Sequence, residues 1–329
     1  MKQDESKSQK IEILSLDMFD THKEEMDIVE QFQKYFNADL GWHYYLDLAW
    51  IIREISALPK GSLVLDAGAG SGLLQFILSD IGYNIISADF MDRKFSSKYV
   101  GRFRRRICYL NSQKQTFDNR YTRYLKSSYY GNDVGKLSRL LGFFKRNDPQ
   151  KYLMGFMDKN IFAPRKYFSK LFFKGNEDEN CGSIFLYKCD LKNMLLLPEG
   201  IVDGVVSVSA LEHNDHGDFE KCMEEMLRVT KPSGRLFITV GAAQFDDWFH
   251  VPSKGWCYSE ATIRKIFRLP EDVQSNFSRK DLLFEEMRKE GNQLHQRLAP
   301  VYLLSGDNGM PWGKWDPKYQ TVGISKIKT

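Results

Sequence analysis

Leu63-Val64-Leu65-Asp66-Ala67-Gly68-Ala69-Gly70-Ser71-Gly72 reads as a buried strand that meets an acid and runs into a glycine turn opening a helix. Glycine takes positive φ without a steric cost and lets a ligand approach bare main chain. The helix start behind the turn offers unpaired N–H groups. A ligand containing a nucleoside suits this arrangement, and a plain turn is the alternative that the flanking sequence must exclude.

Downstream, Leu73, Leu74, Ile77, Leu78 and Ile81 keep helical spacing up to a stop at Gly82. A second strand, Asn84 to Ala88, ends on Asp89. Strand, glycine turn, helix, strand and acid make a βαβ nucleotide-binding unit, with the acid about 20 residues beyond the turn, where a ribose diol is held. After a long interruption the pattern resumes with a third strand, Ile184 to Lys188, ending at Asp190, and a fourth, Val202 to Val208. A helix from Gly217 to Val229, a turn at Lys231-Pro232-Ser233-Gly234 and a fifth strand, Arg235 to Val240, follow. A Trp- and Asp-rich loop (Phe245 to Tyr258), helices from Ser259 to Phe267 and Asp281 to Leu298, and an alternating strand, Tyr319 to Lys328, complete the chain. Strands separated by helices predict an α/β sheet wound on both faces. Upstream, helices are expected over His22–Asn37 and from Trp42 to Leu58, the second ended by Pro59 and Gly61. Residues before Asp20 carry little pattern and are expected to be loosely held.

The composition narrows the class. At 329 residues with 14% aromatics, the chain can bury a large core. No window reaches the eighteen or so uncharged apolar residues of a membrane span, and no signal peptide is visible, so a cytoplasmic setting is expected. Five scattered cysteines without a C-x-x-C pair read as free thiols. The net charge of +4 hides an asymmetry. Between Arg93 and Lys174 there are 21 Lys and Arg against four acids, a balance of +17 that leaves −13 for everything else.

Together the 64–72 stretch, Asp89, Asp190, Ser209-Ala210-Leu211-Glu212-His213 and Arg228-Val229-Thr230-Lys231-Pro232-Ser233-Gly234 resemble the class I S-adenosylmethionine-dependent methyltransferases. The resemblance covers about 63–92 and 184–240. It implies a Rossmann-like, mostly parallel seven-stranded sheet, with Tyr319 to Lys328 as its antiparallel strand and S-adenosyl-L-methionine as cofactor. A nicotinamide dehydrogenase, the main rival, seats a pyrophosphate on Gly-x-Gly-x-x-Gly, and a carboxylate at Asp66 would repel it. A cofactor carrying a sulfonium and an ammonium welcomes that acid. Carried over, the resemblance implies that Gly68, Gly70 and Gly72 lie against the methionine part and ribose, and that Asp66 faces the ammonium. Asp89 accepts from the ribose hydroxyls, Phe90 or Met91 covers the adenine, Asp190 accepts from its amino group with Leu191 alongside, and Ser209 lines the methionine pocket.

Methyl transfer needs orientation above all, and a base only when the acceptor must lose a proton. His213, His43 and His250 are the candidate bases. Glu212, His213, Asp215 and His216 could suggest a metal, but Asp215 and His216 more simply cap the next helix, and no metal is expected. Residues 1–62 form an N-terminal helical segment at the active-site mouth, 63–92 and 184–329 the methyltransferase domain, and 93–183 an inserted cap, basic and rich in aromatics. Such a cap fits three partners: an anionic small molecule or phosphorylated sugar gripped by Arg forks, a nucleic acid, or an anionic membrane surface met by Leu137–Arg146 and Tyr167–Lys174. The expected activity is methyl transfer by in-line displacement to oxygen or nitrogen of a small or glycan-like acceptor, anionic acceptors included. An RNA methyltransferase and a non-catalytic binding or scaffold protein are the alternatives, and peripheral membrane contact would come through the insert.

Overall fold

A computed structural model describes residues 9–38, 40–91, 181–298 and 314–329, together with Arg93, Phe95, Phe103 and 106–110. Strands β2 (Leu63–Ala67) and β3 (Asn84–Asp89) lie parallel, joined by α4 (Leu74–Asp80). Their register, Leu63 opposite Asn84 through Ala67 opposite Ala88, brings both acid-bearing ends to one edge of the sheet. Both strands are apolar on both faces, with Val64, Leu65, Ile85 and Ile86 buried, as parallel strands covered on two sides must be.

Beyond β3 lie β5 (Ile184–Lys188) and β4 (Ile107–Tyr109). On the other side of β2 come β6 (Val202–Val208), β7 (Thr230–Ala242) and the antiparallel β11 (Gln320–Ile327). Strand β1 (Lys10–Ile13) pairs with β11, and β10 (Gln274–Ser275) pairs with β1. The order is therefore β10-β1-β11-β7-β6-β2-β3-β5-β4. The winding reverses between β2 and β6, which is where an open α/β sheet leaves a crevice for ligands. Helices α1 (Met18–Thr21), α2 (Lys23–Phe36) and α3 (Tyr44–Ile55) cover one face with α4; α5 (His216–Val229), α6 (Glu260–Phe267) and α7 (Lys280–Arg288) cover the other. Alternate residues along each strand feed the two cores: Val64, Ile85, Val206 and Phe237 meet Trp50, Ile51 and Phe76, while Leu65, Ile86, Val205 and Leu236 meet Phe219, Met226 and Phe267.

The sheet departs from expectation in several places. The stretch before Asp20 supplies β1, so the N-terminal segment gives the sheet a strand as well as helices. The predicted seven-strand frame is present with β1 on its outer edge, and β4, β10 and a hairpin extend it to eleven strands among the described residues. Lys231–Gly234 is not a turn ahead of the fifth strand; it is an irregularity inside β7, where Ser233 takes a φ of 60° and the register shifts. The predicted Phe245–Tyr258 loop contains β8 (Trp248–His250) and β9 (Gly255–Tyr258), with β9 parallel to β7. The final predicted helix is broken in two: α7 ends at Arg288, and helix resumes over 293–298 beyond Gly291, which has a φ of 82°.

The insert, including Leu137–Arg146 and Tyr167–Lys174, lies almost wholly outside the described residues. Of its beginning, Phe95 and Phe103 are buried against Phe76, with ring centroids 5.3 and 4.9 Å away. Among the described residues no helix is long and apolar enough to cross a membrane.

Candidate cofactor and acceptor site

At the switch point a cavity of about 1100 Å³ opens between the ends of β2, β3 and β6. One end is walled by the glycine turn. Gly68 and Ala69 both donate to the Ala88 carbonyl at 3.0 Å, which folds the turn over the end of β3. Gly68 has a φ of 76° and no room for a side chain, since a Cβ would lie 2.5 Å from that of Ala210. Gly70, at a φ of 50°, has open space where its Cβ would be. Gly72 also lines the cavity but is not in the left-handed region.

The turn is braced from below by a side chain the sequence reading passed over. Gln75, fully buried, donates to the carbonyls of Gly70 and Gly72 at 3.4 and 3.1 Å and accepts from Ser87 Oγ at 2.6 Å. The buried Arg93 guanidinium then donates to Ser87 Oγ and its carbonyl. The i,i+12 relation of Gln75 and Ser87 carries no local periodic signal, so only the paired strands reveal it.

Asp89, buried at the end of β3, accepts the Gly70 N–H on one oxygen and the Met91 N–H on the other, both at 2.8 Å. A carboxylate oxygen has two lone pairs, so each retains capacity for a hydroxyl. Asp66 is buried deeper, and its Oδ2 has no partner. Burial pushes its pKa up to about 7, with Arg93 pulling it down and Asp89 adding to the rise. Ser209, at a φ of 43°, likewise holds a buried hydroxyl without a partner. Asp190 is exposed, accepts the Lys192 N–H at 2.9 Å and leaves Leu191 beside it on the cavity wall. Phe90 and Met91 stand at the rim, 72% and 43% exposed. Every residue expected to touch a cofactor thus lines one cavity.

The two orphaned acceptors match the chemistry of a cationic amino acid head, the strand-end Asp89 a ribose diol and the exposed apolar pair an adenine. Buried polar groups left unpaired cost free energy, and a ligand that donates to Asp66 and Ser209 removes that cost. The donor set therefore fits S-adenosyl-L-methionine.

The opposite end is built by the start of α3, the turn after β6 and residues 251–257. His43 is buried, and its Nδ1 lies 2.5 Å from Asp47 Oδ2, one helical turn on. Glu212 is buried with Oε2 unpartnered, and burial raises its pKa against the opposing pull of His213 and then His43. His213 is exposed, and its Nδ1 lies 2.9 Å from the Lys254 carbonyl oxygen. His250 does not line the cavity; it is buried with Nδ1 2.7 Å from Ser253 Oγ, and burial lowers its pKa. Asp215 caps α5 by accepting the Asp218 N–H at 2.7 Å, while His216 lies inside that helix, with Nε2 3.1 Å from Asp247 Oδ2. Among the described residues, no group of three or more His, Cys, Asp or Glu side chains is arranged to hold a metal ion.

A doubly wound sheet with an antiparallel strand beside its fifth, and a cavity at its switch point, is the Rossmann-like architecture that the resemblance to class I S-adenosylmethionine-dependent methyltransferases implies. The family model described as a methyltransferase domain matches residues 169–238, a stretch that takes in β5, β6, α5 and most of β7. No curated protein matches the chain. Among solved structures it is similar to the Burkholderia thailandensis 1,6-didemethyltoxoflavin-N1-methyltransferase, at 10% identity over 84% of this chain and 74% of that one, with a TM-score of 0.39. It is also similar to the magnesium protoporphyrin IX methyltransferase of Synechocystis PCC 6803 (14% identity, 85% and 76% covered, TM-score 0.34). A SAM-dependent methyltransferase from Methanosarcina mazei is a third (12% identity, 86% and 99% covered, TM-score 0.38). The chain thus carries, on a Rossmann-like fold, a stretch that matches a methyltransferase domain.

Proposed function

We propose that this chain is an S-adenosylmethionine-dependent methyltransferase that acts on oxygen or nitrogen of a small or glycan-like acceptor, anionic acceptors included, by in-line displacement. The observation that carries the reading is the two-ended cavity. At about 1100 Å³ it exceeds the roughly 300–1,000 Å³ of a single small-ligand pocket, and its ends differ in chemistry. The end at Asp66, Gly68, Gly70, Asp89 and Ser209 suits the cofactor; the end at His43, Tyr44 and Glu212 is left for the acceptor.

The bound cofactor supplies an activated methyl carbon on a sulfonium. The protein's part is to hold the two reactants in line and keep water out, which can contribute much of the rate. In this reading Asp89 fixes the ribose, Asp66 and Ser209 the methionine end, and Asp190 with Leu191, Phe90 and Met91 the adenine. The charge of the insert between Arg93 and Lys174, 21 basic residues against four acids, favours an anionic acceptor such as a phosphorylated sugar.

Calorimetry with S-adenosylhomocysteine tests the cofactor end: Asp89→Ala is expected to weaken binding at least tenfold, and wild-type affinity in that variant would overturn the assignment. Transfer of labelled methyl into fractionated cell extract tests the acceptor. Label is expected in small metabolites or glycans. Label in RNA instead, with binding that falls steeply with salt and is lost when Arg104, Arg105 and Arg106 are neutralised, would replace this reading with that of an RNA methyltransferase.

A further inference from the structure

We infer that the acceptor's nucleophile is a hydroxyl group, and that His43, held by Asp47, takes its proton; this rests on the functional reading above. The acceptor end of the cavity is built for proton removal. His43 sits at the mouth of α3, and Asp47 accepts from its Nδ1 side across 2.5 Å. Asp47 is wholly buried, so it cannot swing away to solvent, and it fixes the ring and its tautomer. Nε2 is then the atom left to act: it makes no hydrogen bond among the described residues, and the side chain lines the cavity. His250, by contrast, is turned away from that cavity, and His213 is exposed. Glu212 adds a second acceptor on the same wall, with Oε2 buried and unpartnered.

A neutral amine attacks a sulfonium methyl with its lone pair unaided, whereas a neutral hydroxyl is a weak nucleophile until its proton begins to leave. A buried His–Asp pair facing the acceptor space therefore points to oxygen. In the step, an acceptor oxygen lone pair forms the new O–CH₃ bond. The C–S bond breaks with its electron pair staying on sulfur, and the hydroxyl proton passes to His43 Nε2. The resulting imidazolium is stabilised by Asp47. Glu212 accepts from a second hydroxyl of the acceptor and sets its orientation. The groups facing His43 are Asp47 and Tyr44 on its own helix, Glu212 after β6, His250 on β8 and Tyr319 before β11. Asp47 and Glu212 favour the protonated ring, and a protonated His250 opposes it.

The test compares wild type, His43→Gln and Asp47→Asn for labelled methyl transfer into the small-molecule and glycan fractions of a cell extract. S-adenosylhomocysteine calorimetry and an NMR titration of the His43 ring are run on each protein that retains the ring. Expected results are an acid-stable methyl ether in the labelled product and a loss of about 100-fold in rate for His43→Gln, with S-adenosylhomocysteine affinity kept within threefold. Asp47→Asn should lower the rate and move its pH profile. An N-methyl product, or His43→Gln at the wild-type rate, overturns the inference and leaves the functional reading standing. A wild-type protein that binds S-adenosylhomocysteine but labels neither fraction overturns both. A variant that no longer binds S-adenosylhomocysteine is replaced by Asp47→Asn, whose unshifted pH profile would equally refute the pairing.

Discussion

Asp66 is the residue in which position and charge are most at odds. It lies at the head of the glycine turn, 2% exposed, with one oxygen unpartnered and a pKa of about 7. The unfolded chain holds the same group at its ordinary value near 3.8. Between those values the folded chain keeps a proton that the unfolded chain has lost, so this group's contribution to stability falls as pH rises from about 4 to about 7 and is flat above. A bound ammonium favours the carboxylate and reverses the preference. S-adenosylhomocysteine affinity should therefore climb as pH rises from about 5 to about 7, by at most tenfold per unit, with one proton released per ligand at the acid end. Calorimetry in two buffers of different ionisation enthalpy measures that proton. Asp66→Asn should bind more weakly, flatten the pH dependence and release none; a variant with the wild-type slope would place the titrating group elsewhere.

At the scale of the element, the turn from β2 to α4 was legible because its signals are local. Three alternating glycines, an apolar run before them and an acid at each strand end can be read within thirty residues, and they place the cavity. What holds the turn rigid was not legible. Gln75 joins Gly70 and Gly72 to Ser87, and Arg93 completes the chain of bonds, across a pairing that only the sheet creates. Gln75→Leu keeps the volume and removes every one of these bonds, leaving Ser87 with one buried partner fewer. It should cost about 1–3 kcal/mol in urea unfolding and weaken S-adenosylhomocysteine by roughly tenfold as the turn loosens. Loss of stability with unchanged affinity would show that the brace serves the fold alone. The acceptor end divides in the same way. His43 and Asp47 sit at i and i+4, which puts them on one helix face, and that spacing was there to be read. The burial of Glu212 was not, because it is set by Gly255 of β9, whose Cβ would come 3.1 Å from Glu212 Cγ. The hairpin holding Gly255 is made of strands of three and four residues, too short to show a period of two.

Across the whole molecule, the first strand closes the sheet against its last. Lys10-Ile11-Glu12-Ile13 alternates, but four residues in a polar stretch give no sequence signal, and the partners lie more than 260 positions away. The structure shows why the segment is held. Ile11 and Ile13 are buried in the core under α5 and α6, and the side chain of Asn276 donates to the Ile13 carbonyl and accepts its N–H at 3.0 and 2.7 Å. On the other face Glu12 accepts from Trp50 Nε1 at 2.9 Å, and Trp50 itself packs on Gly323 of β11, where a Cβ would fall 2.5 Å from its ring. The strand thus ties β11, α3 and the end of the chain into one edge, and α3 carries His43 into the cavity. Deleting residues 1–16 removes Ile11, Ile13 and Leu14, each worth about 1.5–3 kcal/mol of burial, and leaves β11 as a bare edge open to other chains. A loss of about 3–6 kcal/mol is expected once the strand's ordering entropy is recovered, seen as a lower urea midpoint, faster amide exchange along β11 and concentration-dependent association. Because α3 leans on that edge through Trp50, methyl transfer should fall further than S-adenosylhomocysteine binding, whose proposed residues sit at the ends of β2, β3 and β6. A deletion that keeps the urea midpoint, or one that lowers binding and transfer alike, would mean that the strand does not position the acceptor end.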